Sequence, residues 1–176
     1  MESRLRIRSA TADDTGAVLA VERDAFGGEA EADLVVALMS GEVFVPALSL
    51  VAEESGGIVG HALFTRAEAG GVRAALLAPL AVAPGRQRSG VGSALVEAGL
   101  SVAAALGFEM VLVLGHPEYY PRLGFVPALP HGIEPPYPVD PPEAWMAREL
   151  AAGALERARG VVRVADELMD PALWRE

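Results

Sequence analysis

The single glutamine of the chain, Gln87, opens the segment Gln87-Arg88-Ser89-Gly90-Val91-Gly92, where one apolar run gives way to a longer one. Such a segment can cradle a phosphate through its backbone. Glycines let the main chain approach an anion with no Cβ in the way. A helix starting there adds N–H groups without intrahelical partners and the positive end of its dipole. No Lys follows the glycines, so the phosphate loop of ATP and GTP enzymes does not fit. The three-glycine spacing of the Rossmann fingerprint is missing as well. What remains is a pyrophosphate loop of another kind.

Composition removes several other chemistries. The chain has no Cys, which excludes a disulfide framework, a thiolate metal site and a thiol nucleophile. All 14 basic residues are Arg, and neither Lys nor Asn occurs, a bias that points to a GC-rich genome rather than to function. A formal charge of −10 argues against a nucleic-acid partner, which would call for a basic face, and mildly favours cationic amines. At 176 residues the chain has the size of one domain with a full core, and no linker or internal repeat divides residues 1–176.

The elements that must position the loop follow from pattern. Leu76 to Pro84 reads as a buried strand, with Pro79 marking an edge or a bulge because proline cannot donate to a ladder. Gly90 to Leu106 reads as a helix closed by Gly107, and Phe108 to Leu114 as a second strand that is apolar except for Glu109. Strand, glycine turn, helix and strand make a βαβ unit with a right-handed crossover and two parallel strands. Upstream, Leu5 to Arg8 alternates as a first strand should, and Asp13 or Asp14 can cap a helix that runs to Phe26. A second helix spans Glu31 to Met39. Leu48 to Glu53 and Ile58 to Thr65 form a hairpin about Ser55-Gly56-Gly57. Pro127 to Pro142 reads as a stiff PPII-like loop, followed by strands at Ala144 to Leu150 and Val161 to Val164.

Two segments together carry a family resemblance. Pro79-Leu80-Ala81-Val82-Ala83-Pro84 with the loop from Gln87 to Gly92 resembles motif A of the GNAT N-acetyltransferases. Val113 to Phe125, through His116-Pro117-Glu118-Tyr119-Tyr120 and the pair Gly124-Phe125, resembles motif B. With Ile58 to Phe64, these point to the YhbS-like group of acetyltransferases. The resemblance spans about residues 5 to 165. It implies one GNAT domain over residues 1–176 and an α/β (α+β) fold. That fold has a mixed, mostly antiparallel central sheet of about seven strands, with a splayed parallel pair in the middle and about four flanking helices.

The implied activity is direct transfer of an acetyl group from acetyl-CoA, the cosubstrate, to a primary amine of a small molecule or peptide. Gln87, Arg88, Ser89, Gly90, Val91, Gly92 and Ser93 would hold the pyrophosphate, with the Arg88 side chain adding a charge-assisted contact. The backbone of Leu80, Ala81 and Val82 would pair with the pantetheine arm, and one N–H would stabilise the oxyanion. Tyr120 would be the general acid for the departing thiolate, since a phenol of reference pKa ~10 keeps its proton at neutral pH. The general base stays open among His61, His116, Glu22, Glu29 and Glu31. Motif B departs from the wider family in lacking an Asn before the tyrosine, and His116 stands where the YhbS-like pattern carries an acid.

No metal is called for. The opening Met1 to Arg8 has no apolar h-region, so a cytoplasmic, bacterial enzyme without a membrane partner is expected, and a homodimer is compatible. The most membrane-like stretch, residues 89 to 106, carries Glu97 and falls short of ~20 apolar residues. The rival reading is an acyl-CoA-binding regulatory module that keeps the fold with little or no transfer. Release of CoA thiol against a panel of amines separates the two.

Overall fold

A computed structural model describes residues 4–175, so Met1 to Ser3 of the signal-peptide reading lie outside the described residues. In chain order the elements are β1 (Arg6–Ser9), α1 (Thr15–Phe26), α2 (Ala30–Met39), β2 (Phe44–Glu54), β3 (Gly57–Ala69), β4 (Val72–Val82) and α3 (Val91–Ala105). After them come β5 (Met110–Leu114), β6 (Val126–Pro127), β7 (Ile133–Glu134), β8 (Trp145–Glu149), α4 (Ala154–Arg157) and β9 (Gly160–Val161). Seven strands form one sheet in the order β1-β2-β3-β4-β5-β8-β6, and β7 pairs with β9 in a second, two-stranded sheet. The chain clusters into two compact units. One holds the chain up to Phe64 with Pro79–Val102, and the other holds Thr65–Ala78 with the chain from Ala103 onward.

In the first unit β1 and β2 are antiparallel, with Ile7 opposite Ala52. Ser55 (φ 52°) and Gly56 (φ 78°) make the two-residue turn that leads from β2 into β3. Positive φ at both positions suits the twist of the flanking strands, which is why a glycine serves there. Side chains alternate across β3. Gly60 and Phe64 face α3: a Cβ on Gly60 would lie 2.8 Å from Leu95, and one on Gly99 would lie 2.2 Å from the Phe64 ring. His61, between them, faces the other side and meets α1. Val18 and Val21 of α1 and Val35 and Leu38 of α2 are buried with it.

The start of α1 departs from the expected cap. Asp14 precedes the helix, but its carboxylate accepts from the Thr11 backbone N–H at 2.7 Å and from Arg8 Nη1 at 2.7 Å and Nη2 at 2.9 Å. It closes the 3-10 turn Ala12–Asp14 and ties that turn to β1 instead of capping α1. At the other end Gly27 (φ 72°) stops the helix as expected.

In the second unit β4 and β5 run parallel, with Ala74 opposite Met110 and Leu77 opposite Val113, as the βαβ pattern requires. Helix α3 ends as its sequence predicts. Gly107 (φ 86°) donates to Ala104 and Phe108 donates to Ala103, the paired bonds of a Schellman motif. Glu109, the odd acid before β5, accepts from the Arg73 N–H at 2.9 Å and from Arg157 Nη1 at 2.8 Å, and the first of these bonds holds its carboxyl below the usual range.

The proline-rich stretch is not one PPII loop. Ala128 and Ile133 are fully buried, and their segment folds into β6, which pairs with β8, a 3-10 turn at Leu129–His131, and β7, which pairs with β9. The last expected strand is likewise shorter: β9 is confined to Gly160–Val161 and lies outside the main sheet, because it pairs with β7. Both tryptophans anchor this unit, with rings 5.5 Å apart and their N–H groups donating to Ile133 and Leu168.

Candidate active site

β4 contains one residue more than its partner requires. The two-residue turn Gly70-Gly71 sets Ala69 opposite Val72, and at the far end the Ala83 N–H donates to Val59 O at 2.8 Å. Ten steps along β3 therefore face eleven along β4, which is a bulge. The backbone sense reverses accordingly. Arg73 turns its N–H and C=O toward Glu109 and β5, whereas Ala83 turns its N–H toward β3. The reversal falls after Leu77, the last residue registered against β5, in the span that holds Pro79. Beyond it Ala81 points its carbonyl at β3, and the backbone of Leu80 and Val82 points away from β3.

The loop that follows is braced by its own residues. Gln87 Nε2 donates to Val82 O at 3.1 Å, and the Ser89 hydroxyl donates to Arg86 O. Arg86 places Nη2 2.8 Å and Nε 2.7 Å from the two carboxylate oxygens of Glu54, fixing the loop to the end of β2. Sequence reading gave no role to either. Gln87, Arg88, Ser89 and Gly90 are exposed, Val91 is buried, and Gly92 and Ser93 are half-buried. Arg88 (φ 60°) and Gly90 (φ 91°) take left-handed backbone, and a Cβ on Gly90 would meet nothing within 4 Å. Ala94 donates to Gly90 O at 3.0 Å, so the amides of Val91 and Gly92 stand ahead of the first helical bond of α3. Open space above Gly90, amides ahead of the first helical bond and the exposed guanidinium of Arg88, which has no ion pair among the described residues, form a site that an anion fits.

Tyr120 begins the 3-10 turn Tyr120–Leu123 and is buried. Its ring lies edge-on to Tyr119 at 5.0 Å and to Phe125 at 5.5 Å. Gly115 makes room for it, since a Cβ there would lie 2.2 Å from Tyr120 Cε2. Gly124 (φ 86°) closes the turn, and Arg148 on β8, absent from the sequence reading, donates to Leu123 O. Tyr119 is half-buried, so the neighbouring phenols have different surroundings.

The five open candidates for the base separate clearly. His116 is exposed, and Glu29 is exposed and paired with Arg23 at 2.7 Å. Glu31 is half-buried in the first turn of α2. Glu22 and His61 are fully buried and joined, with His61 Nδ1 2.7 Å from Glu22 Oε1 and His61 Nε2 3.0 Å from Ser49 Oγ. Burial pushes the Glu22 carboxyl up, the bond and charge of His61 pull it partly back, and the carboxylate of Glu31 adds a smaller push. Sequence reading kept Glu22 and His61 among the open candidates, but nothing in the sequence linked residues 39 positions apart.

Comparison with known proteins gives a consistent result. Residues 45–127 match the family model of the acetyltransferase (GNAT) domain. The uncharacterized N-acetyltransferase YjhQ of Escherichia coli is 44% identical over 161 residues, covering 87% of this chain and 88% of YjhQ. YhbS of Escherichia coli, also an uncharacterized N-acetyltransferase, is 31% identical over 152 residues, 85% of this chain and 89% of YhbS. The crystal structure of YhbS in complex with CoA matches with a TM-score of 0.89 at 29% identity over 97% of this chain and 94% of that one. A GNAT acetyltransferase from Brucella melitensis in complex with acetyl-CoA matches with a TM-score of 0.75 at 26% identity over 94% and 98%.

Proposed function

Because this chain belongs to the GNAT acetyltransferase family, we propose that it transfers the acetyl group of acetyl-CoA directly to a primary amine. The observation that carries the reading is the bulge of β4 beside the open, amide-rich start of α3. A strand whose backbone turns away from one neighbour and loses register with the other is suited to pair with an extended ligand. The phosphates of such a ligand would meet the amides of Arg88 to Ser93 and the Arg88 guanidinium, while Gln87 braces the loop. Leu80, Ala81 and Val82 would line the pantetheine. The Val82 carbonyl already accepts from Gln87, so the polar pairing falls chiefly to Leu80 and the Val82 N–H. An N–H of this segment would donate to the developing oxyanion, and the Tyr120 hydroxyl would give its proton to the leaving thiolate. With no Cys in the chain, no acyl-thiol intermediate on the protein forms, which fits direct transfer. We place the reaction in the cytoplasm, with a small-molecule or peptide amine as acceptor.

Thermal denaturation tests the cosubstrate. Acetyl-CoA at a hundred times its Kd should stabilise the fold by about 2.7 kcal/mol. Gly90→Val should abolish that gain by filling the space the phosphates need and straining a left-handed position, and ATP with magnesium should give no comparable gain. Acetyl-CoA binding without thiol release on any amine would favour the regulatory-module reading, and no stabilisation at millimolar concentration would remove both.

A further inference from the structure

Glu22, His61 and Ser49 make a line of hydrogen bonds inside the first unit, and the acyl-transfer roles given above leave it without a task. It lies close to the strand that carries them. Counting along both strands from the Ala83–Val59 bond puts His61 opposite Ala81, within the segment assigned to the thioester. When His61 Nδ1 donates to Glu22 and the Ser49 hydroxyl donates to Nε2, the buried group carries one negative charge. Taking up one proton cancels that charge, which a dry site favours. One atom is left over. Glu22 Oε2 is buried and has no hydrogen-bond partner among the described residues, so the array has an open end on its carboxylate.

We propose that Glu22 accepts the proton that a primary ammonium acceptor loses before it attacks, and that His61 and Ser49 are positioning residues for that carboxylate. The inference rests on the acetyltransferase reading. Of the two nitrogen protons lost, the first passes to Glu22 Oε2. The amine lone pair then forms the C–N bond at the thioester carbonyl and the C–S bond breaks. The second nitrogen proton replaces the one Tyr120 gives to the sulfur, and Glu22 returns its own to water, so one proton is released per turnover. Glu22 stands one helical turn before Gly27-Gly28, and around that turn lie exposed Asp24 and Asp33 and half-buried Glu31, a surface suited to a cation. The other charges of the packed elements are Arg6 of β1, Arg66 and Glu68 of β3, Glu54 of β2 with Arg86, Arg23 with Glu29, and Arg8 of β1 with Asp14 and with Glu53 of β2. Arg8, Arg23 and Glu54 are held in ion pairs.

The test is CoA thiol release by the full chain with acetyl-CoA and spermidine, tyramine or glycinamide, followed from about pH 6 to 10. Glu22→Gln should lower kcat about 100-fold or more at neutral pH and leave KM for acetyl-CoA unchanged. Its rate should then climb with pH toward the wild type as the acceptor loses its proton in solution. Glu22→Asp should recover part of the rate. Ser49→Ala removes one hydroxyl, serves if Glu22→Gln does not fold, and should move the acidic limb of kcat/KM to higher pH. Wild-type kcat and an unchanged acidic limb in Glu22→Gln, or an unmoved limb in Ser49→Ala if Glu22→Gln does not fold, would overturn this inference alone. A wild-type protein that releases no thiol with any of the amines would overturn the acetyltransferase reading and this one together.

Discussion

Tyr119 and Tyr120 offer the sharpest comparison between single residues. They differ by one position and one hydroxyl would be removed from each, yet Tyr120 is buried against Phe125 and Gly115 while Tyr119 is half-buried. If the Tyr120 hydroxyl protonates the thiolate, Tyr120→Phe should lower turnover by about 10²- to 10⁴-fold with acetyl-CoA binding and stability nearly unchanged. Tyr119→Phe should cost little. Equal losses in both would point to packing, and full activity in Tyr120→Phe would leave the thiolate to be protonated by water. The residue scale is also where sequence reading was most uneven. Gln87 and Gly90 stood out because their types and local spacing carry the signal, and Tyr120 because the segment around it resembles a family motif. Arg86, Glu54 and Arg148 did not, because each acts on a partner at least 25 positions away.

Among the elements, α3 shows how close approach is built. It packs on β3 only because Gly99 leaves room for the Phe64 ring, with 2.2 Å between that ring and where a Cβ would stand. Gly99→Val should therefore destabilise by about 1–3 kcal/mol through overpacking, and lower Tm by several degrees. Adding Phe64→Leu should restore part of the loss, and additive losses in the double variant would show that the two side chains do not meet. The same scale separates legible from illegible elements. α1, α2, α3 and β5 carry clear periods and stop signals, so their limits were readable within two residues. β4 was read from Leu76 although it starts at Val72, because Arg73-Ala74-Ala75 has no alternation and the turn Gly70-Gly71 alone announces it. The strands in the proline-rich region are two residues long and exist only through partners that come later in the chain.

For the whole molecule, we propose a single domain. β3, β4 and α3 each pass from one compact unit into the other without a break in the element, so unfolding one unit requires breaking elements of the other. Both tryptophans, Trp145 and Trp174, lie in the second unit. Their fluorescence reports on that unit, whereas far-UV circular dichroism reports on helices and strands of both. Chemical denaturation should give coincident transitions by the two probes. Separate midpoints would show two domains that unfold independently.

The sequence by itself determined what depends on neighbours along the chain. The glycine turn between strand and helix, the parallel βαβ unit and the helix stops at Gly27 and Gly107 rest on local spacing and periodicity, and the family resemblance rests on two motifs read in order. The tertiary structure alone decided what depends on register and on opposing faces. Pro79 left an edge and a bulge both open for β4, and only β3 laid beside it, with ten steps against eleven, decides for the bulge. Glu22 and His61 stood among five open candidates and Ser49 among none, and only the fold brings the three together from a helix and two strands. Burial converts the three into a hydrogen-bonded line and raises the proton affinity of Glu22, since a dry interior disfavours the charged carboxylate that water would stabilise.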